Sequence, residues 1–156
     1  LGKAIFALTA TRRYDSEKEA YAAYEKWLPK LERALTDQLC NLAESYGKAV
    51  RDNAESTILN VTELVDDIKK ATELRNVLCH GSWHTPDATG KSLPLFIKKN
   101  TKEIFETPID IEFLCKVQRH VVGLSCAVVN SVTHMGYQFP GGAGPGKAIW
   151  HTKDDE

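Results

Sequence analysis

Apolar positions recur along most of this chain at spacings of three and four, the pattern of helices that bury one face. Ser16-Glu17-Lys18-Glu19 sets a hydroxyl three residues before a carboxylate, a capping box that starts a long helical region from about 16 to about 50. Pro29 interrupts that region and is expected to kink it or to begin a new helix. Beyond Pro29, Leu31, Leu35, Leu39, Leu42 and Tyr46 keep the helical spacing. The next helix is predicted from about 56 to about 80, with Val61, Leu64, Val65, Ile68, Ala71 and Leu78 on one broad face. Gly81 follows the last of them and suits a left-handed helix cap. After a loop marked by Pro86, Asp87 and Gly90, residues 93–98 and 102–109 read as β-like runs, with Lys99-Asn100-Thr101 as a hairpin turn. Pro94 and Pro108 would confine both runs to edge positions. Asp110 can cap a last helix, from about 111 to about 135, with Leu114, Val117, Val121, Leu124, Val128 and Val132 as its seam. Residues 2–13 suit a short first helix, and the glycine-rich stretch after Gly136 predicts an irregular tail over 136–156. The expected fold is mainly all-α: one domain over 1–135, a helical bundle with a small β-hairpin inserted before the last long helix.

Composition narrows the class without naming a function. The 156 residues are 42% hydrophobic and 26% charged, ordinary values for a globular domain. No apolar run approaches a membrane span, because Lys116, Arg119 and His120 interrupt the last helix. The apolar start Leu1–Leu8 is too short for a signal peptide, and the first residue is not Met, so a truncated chain is expected. Cys40, Cys79, Cys115 and Cys126 form no C-x-x-C pair and read as reduced core residues of a cytoplasmic protein. A net charge of -1 argues against avid, non-specific nucleic-acid binding but leaves room for a local basic site.

One stretch breaks its own pattern. Arg75-Asn76-Val77-Leu78-Cys79-His80-Gly81-Ser82-Trp83 closes the second long helix, and Arg75 falls on the apolar face. A guanidinium there must be paired, must snorkel to water, or must line a cleft. At about 100° per residue Arg75 lies within about 20° of Ile68, whereas Glu73, Asn76 and His80 form a polar ridge beside it. Two copies of this helix meeting face to face would bring two guanidiniums and two imidazoles into one cleft. Such a cleft suits cleavage of RNA by its own 2′-OH: an imidazole takes or gives the proton, and arginine stabilises charge on the phosphate oxygens. The nucleophile belongs to the substrate, so neither metal nor other cofactor is called for, and DNA would be spared.

Arg75-Asn76-x-x-x-His80 resembles the signature of HEPN domains: an arginine, a polar residue directly after it, and a histidine four to six residues beyond the arginine. The wider form Arg-Asn-x-x-x-His-Gly-x-Trp is similar to many small bacterial members. The resemblance covers nine residues closely and the helical setting over roughly 16–135. It implies a HEPN-like bundle of four to five helices and a homodimer with its two motifs facing each other. For active members it also implies a ribonuclease of a toxin–antitoxin or other bacterial defence system. Arg75 and His80 would then be catalytic, Asn76 the polar residue beside them, and Glu73 a supporting group. Toxins of the family that pair with a nucleotidyltransferase-type antitoxin often carry a tyrosine two residues after the histidine; here that residue is Ser82, which weakens the specific pairing with an antitoxin protein.

Other clusters are plainer. Lys69 and Lys70, one to two turns before Arg75, are candidate substrate contacts, and Lys98, Lys99 and Lys102 join them only if the hairpin folds near the motif. His80-x-x-x-His84 would match zinc spacing on an unbroken helix, but Gly81 and Pro86 predict that the helix stops first. Trp83 suits a plug for the helix end. His120 suits a core histidine, and Asp154-Asp155-Glu156 a solvated surface. Alternatives to a nuclease are a non-catalytic module that binds a nucleotide, RNA or a partner protein, or a dimerisation unit whose Arg75 pairs with Glu73 or Glu112.

Overall fold

The computed structural model describes residues 1–10, 13–99, 101–149 and 151–152, less the side chains of 13, 35, 151 and 152. Five helices carry the fold: α1 (Gly2–Thr9), α2 (Glu17–Thr36), α3 (Leu39–Asp52), α4 (Val61–His80) and α5 (Ile111–Thr133). Short strands β1 (Arg13–Tyr14), β2 (Ser82–Trp83), β3 (Pro94–Leu95) and β4 (His151–Thr152) link them. The mainly helical expectation with a small antiparallel element before the last helix therefore holds.

The helix ends follow the side chains available. Ser16 Oγ accepts from the Glu19 N–H at 3.4 Å, and Glu19 reaches back to accept from the Asp15 N–H at 3.1 Å. Asp110 Oδ1 accepts from the Phe113 N–H at 2.8 Å and starts α5. Pro29 neither ends nor restarts a helix: α2 runs through it without a break. Proline deprives only the carbonyl one turn back of its partner, and here Glu25 and Pro29 are both exposed, so water can serve that carbonyl. The break falls instead at Asp37-Gln38, where Asp37 Oδ1 accepts from the Gln38 N–H at 2.8 Å and from Asn41 Nδ2 at 3.0 Å. A side chain competing for local backbone donors ends the helix where proline does not.

The core forms where α1, α3 and α4 meet the C-terminal half of α5. Ala4, Ala7, Ala43, Tyr46, Val50, Val65, Ile68, Val128 and Val132 form it, with Leu124, Tyr137 and Phe139 packed on its edge. Gly47 sets the approach of α3 to α4, since a Cβ there would stand 2.7 Å from Val65 Cγ2. The seam read for α5 is buried only in part: Val128 and Val132 are covered, Val117 and Leu124 half covered, and Leu114 and Val121 exposed. Of Leu35, counted in the periodicity of the second helical segment, the side chain lies outside the described residues.

The hairpin exists but is broken up. Ser92 faces Ile109 and Ile97 faces Ile104 as isolated antiparallel bridges, with Lys98 N–H donating to Glu103 O and Phe105 N–H to Phe96 O, each at 2.9 Å. Pro94 sits between these bonds and has no N–H to give, which interrupts the ladder. Pro94 is buried, and β3 is one strand of a two-stranded sheet, an edge as expected. The unforeseen strand β2 pairs on its other side, Trp83 opposite Pro94 and Ser82 opposite Leu95. Asn100, assigned to the turn, lies outside the described residues, as do Asp154, Asp155 and Glu156. Beyond α5 the chain turns back on the core: Tyr137 bridges Lys147, Ile149 is buried, and β4 lies parallel to β1. No helix among the described residues is long and apolar enough to cross a membrane.

Candidate functional site

Helix α4 delivers the whole Arg75–His80 motif from its last turns. The helix ends at His80, so His84 lies past β2 and the helical His-x-x-x-His geometry does not form. Gly81 caps the end with φ -69 and ψ 145, an extended rather than left-handed conformation. Glycine is required there for room instead: a Cβ would stand 2.6 Å from Val77 O and 3.0 Å from Pro94 Cβ. The chain thereby turns straight from α4 into β2 against β3. Trp83, expected to plug the helix end, is 44% exposed, while its Nε1 donates to Leu78 O at 3.3 Å.

The conflict posed by Arg75 is resolved by two of its three possible outcomes. The residue is exposed, yet it lines a cavity of about 450 Å³ bounded also by Ile68, Ala71, Val121, Leu124, Val128 and Phe139. Its apolar stem covers hydrophobic wall while its charged head reaches water. Its Nη1 donates to Asn76 Oδ1 at 3.2 Å, which orders the two adjacent motif side chains. No carboxylate pairs with it among the described residues: Glu73 bonds Lys98 at 3.3 Å, and Glu112 bonds Lys116 at 2.8 Å. The salt-bridge role for Arg75 with Glu73 or Glu112 is thus set aside.

The other cations near the motif are engaged. Lys69 is bonded to Glu44 and lies 4.0 Å from Asp66, and Lys70 bonds Asp67 at 3.0 Å. Lys98 on the hairpin spans Glu73 and Glu103, at 3.3 and 3.4 Å. Hydrogen bonds to these carboxylates raise the pKa of each: Glu44 for Lys69, Asp67 for Lys70, and Glu73 before Glu103 for Lys98. Arg75 alone of the motif-side cations named here has only a neutral partner, so it is the one whose field an incoming anion would meet uncompensated. Lys98 meets the condition set by the sequence: the hairpin does fold beside the motif, against Glu73.

Arg75 and His80 do not converge within one chain. Five residues apart on α4, they are separated by about 7.5 Å along the axis and about 140° around it. His80 is exposed and has no hydrogen-bond partner among the described residues. The four cysteines are free; against the core expectation, Cys79, Cys115 and Cys126 are exposed and Cys40 is half-buried, and His120 is exposed rather than in the core. Among the described residues no three His, Cys, Asp or Glu side chains gather as a metal ion would need. Compared with family models, with curated proteins and with solved structures, the chain matches none.

Sequence reasoning found Glu73, Arg75, Asn76 and His80 through the break in the apolar stripe. It missed the wall opposite Arg75. Val121, Leu124 and Val128 look like ordinary seam residues, and only the packing of α5 across α4 turns them into the lining of a cavity.

Proposed function

We propose that this protein is a HEPN-like endoribonuclease working as a homodimer, of the toxin or defence type that its motif resembles. The reading rests on one observation above others: Arg75 stands on an apolar helix face with no carboxylate partner among the described residues, its guanidinium bonded to the amide of Asn76. An arginine so placed has donors to spare for a phosphate, and a planar fork that matches phosphate oxygens. His80 supplies the titratable group that RNA cleavage by the 2′-OH needs, taking the proton from that hydroxyl or giving one to the leaving 5′-oxygen. Asn76 orients the guanidinium, and Glu73 with Lys98 braces the ridge beside it.

Completion of the site by a second copy is supported by geometry and by surface. The divergence of Arg75 from His80 on one helix means that a single chain does not offer both to one phosphate. Exposed apolar side chains mark where a partner would sit: Ile111 at 79%, Val122 at 56%, Ile104 at 56% and Ile97 at 52%.

The test is cleavage of single-stranded RNA in EDTA, with products ending in a 2′,3′-cyclic phosphate. Wild type cleaves; His80→Ala keeps its fold and does not. A second reading, a module that binds RNA or a nucleotide without turnover, draws on one feature: among the described residues the His80 imidazole lacks the orienting hydrogen bond that active imidazoles usually have. Saturable binding with no product from wild type would select it.

A further inference from the structure

The cavity beside Arg75 has a chemistry of its own. Its walls are aliphatic and aromatic, from Ile68, Ala71, Leu124, Val128 and Phe139, and the polar side chains at it are Arg75 and Ser125. At about 450 Å³ it falls in the range of small-molecule sites. It opens to solvent at Arg75, Val121 and Ser125, which are exposed, so water meets its apolar wall. The guanidinium at its rim makes one hydrogen bond, to a neutral amide, and pairs with no carboxylate among the described residues. An occupant that matches both parts is therefore an amphiphile with one anionic head and an apolar tail.

From this the geometry points to a binding site for a free medium-chain carboxylate, its head on Arg75 and its tail between α4 and α5. Charge complementarity selects the head: a carboxylate takes two parallel N–H bonds from the guanidinium fork, where an alcohol or an ammonium cannot. The tail covers apolar wall that water otherwise meets. Nothing in this depends on RNA cleavage. A consequence that does rest on the nuclease reading is regulation: a carboxylate seated on Arg75 removes the donors a phosphate would use, so the ligand would inhibit cleavage in competition with RNA.

The experiment is calorimetric titration of the full chain with octanoate, decanoate and dodecanoate, all below micelle formation, with decanol and decyltrimethylammonium as controls. It is run on His80→Ala as well as wild type, so that binding is read without cleavage. Binding is expected to be saturable, one ligand per chain, and about fourfold tighter per added methylene until the cavity is full. Arg75→Gln should weaken decanoate at least about tenfold and leave decanol unchanged. Val121→Trp places a large ring at the mouth; Val121 is 44% exposed, so the fold tolerates the change, and decanoate binding should be lost. Equal affinity for decanol and decanoate, or no effect of Arg75→Gln or Val121→Trp, would overturn the site. So would decanoate that binds only by splitting dimers while Val121→Trp makes monomers, because a second copy would then be what fills the cavity. Decanoate binding in a protein that never cleaves RNA would sustain the site and sink the nuclease.

Discussion

Replacing Arg75 by lysine keeps a charge and discards the planar fork, so it separates what the guanidinium does from what any cation would do. Arg75→Ala should lower cleavage by about 10²–10³, with Arg75→Lys recovering only part of it, as measured by single-turnover RNA cleavage. Neither change should move stability by more than about 1 kcal/mol, because the residue is exposed and its one side-chain bond among the described residues is to an adjacent amide. Tyr46 tests the opposite case, a polar atom inside the core. Its ring is fully buried, its hydroxyl meets no partner in good hydrogen-bond geometry among the described residues, and burial pushes its pKa up against a smaller downward pull from the Ser131 hydroxyl. Tyr46→Phe removes a desolvated group without leaving a cavity of consequence, so it should leave the melting temperature unchanged or raise it. A loss of more than about 1 kcal/mol in chemical denaturation would mean that the hydroxyl is satisfied after all.

At the scale of elements, α3 and α4 meet where only hydrogen fits. Gly47→Ala gains helix propensity of about 1 kcal/mol but drives a methyl into Val65, a buried β-branched side chain that cannot swing away. The net effect should be a destabilisation of about 1–3 kcal/mol, read from urea midpoints; a stabilised variant would show that the two helices can separate without cost. Removing a cap is a milder change: Asp110→Ala should cost about 1 kcal/mol by freeing the Phe113 N–H. Caps and stripes are local, and this is why they were legible in the sequence: Ser16, Asp110 and the end of α4 at His80 all follow from residues within a turn or two of one another, whereas α4 starts at Val61 rather than near 56. What was not legible depends on distant partners. Pro29 was overvalued because its cost depends on whether water reaches one carbonyl. Gly81 suits a left-handed cap by its spacing, but its need is room, first against Val77 O and then against Pro94, thirteen residues on. Strand β2 is two residues long, too short to have a period, and only β3 defines it. The motif itself was visible because it violates a pattern, while its cavity wall on α5 was hidden because Val121, Leu124 and Val128 obey one.

For the whole molecule, the exposed half of α5 is the feature most in need of a partner. If a second copy covers Ile111 and Val122, sedimentation should give a dimer at micromolar concentration, and Ile111→Glu with Val122→Glu should give a folded monomer. The divergence of Arg75 and His80 on α4 adds that this monomer should lose cleavage though every motif residue is intact, a result no change to the chemistry alone would produce. An active monomer would show that one chain holds the complete site. The central claim, that Arg75 and His80 brought together by two copies cleave RNA, is tested most directly by incubating single-stranded RNA with wild type and with His80→Ala in EDTA and analysing the new ends. The account predicts fragments ending in a 2′,3′-cyclic phosphate from wild type and intact RNA from a folded His80→Ala; equal cleavage by both, or none by either, would contradict it.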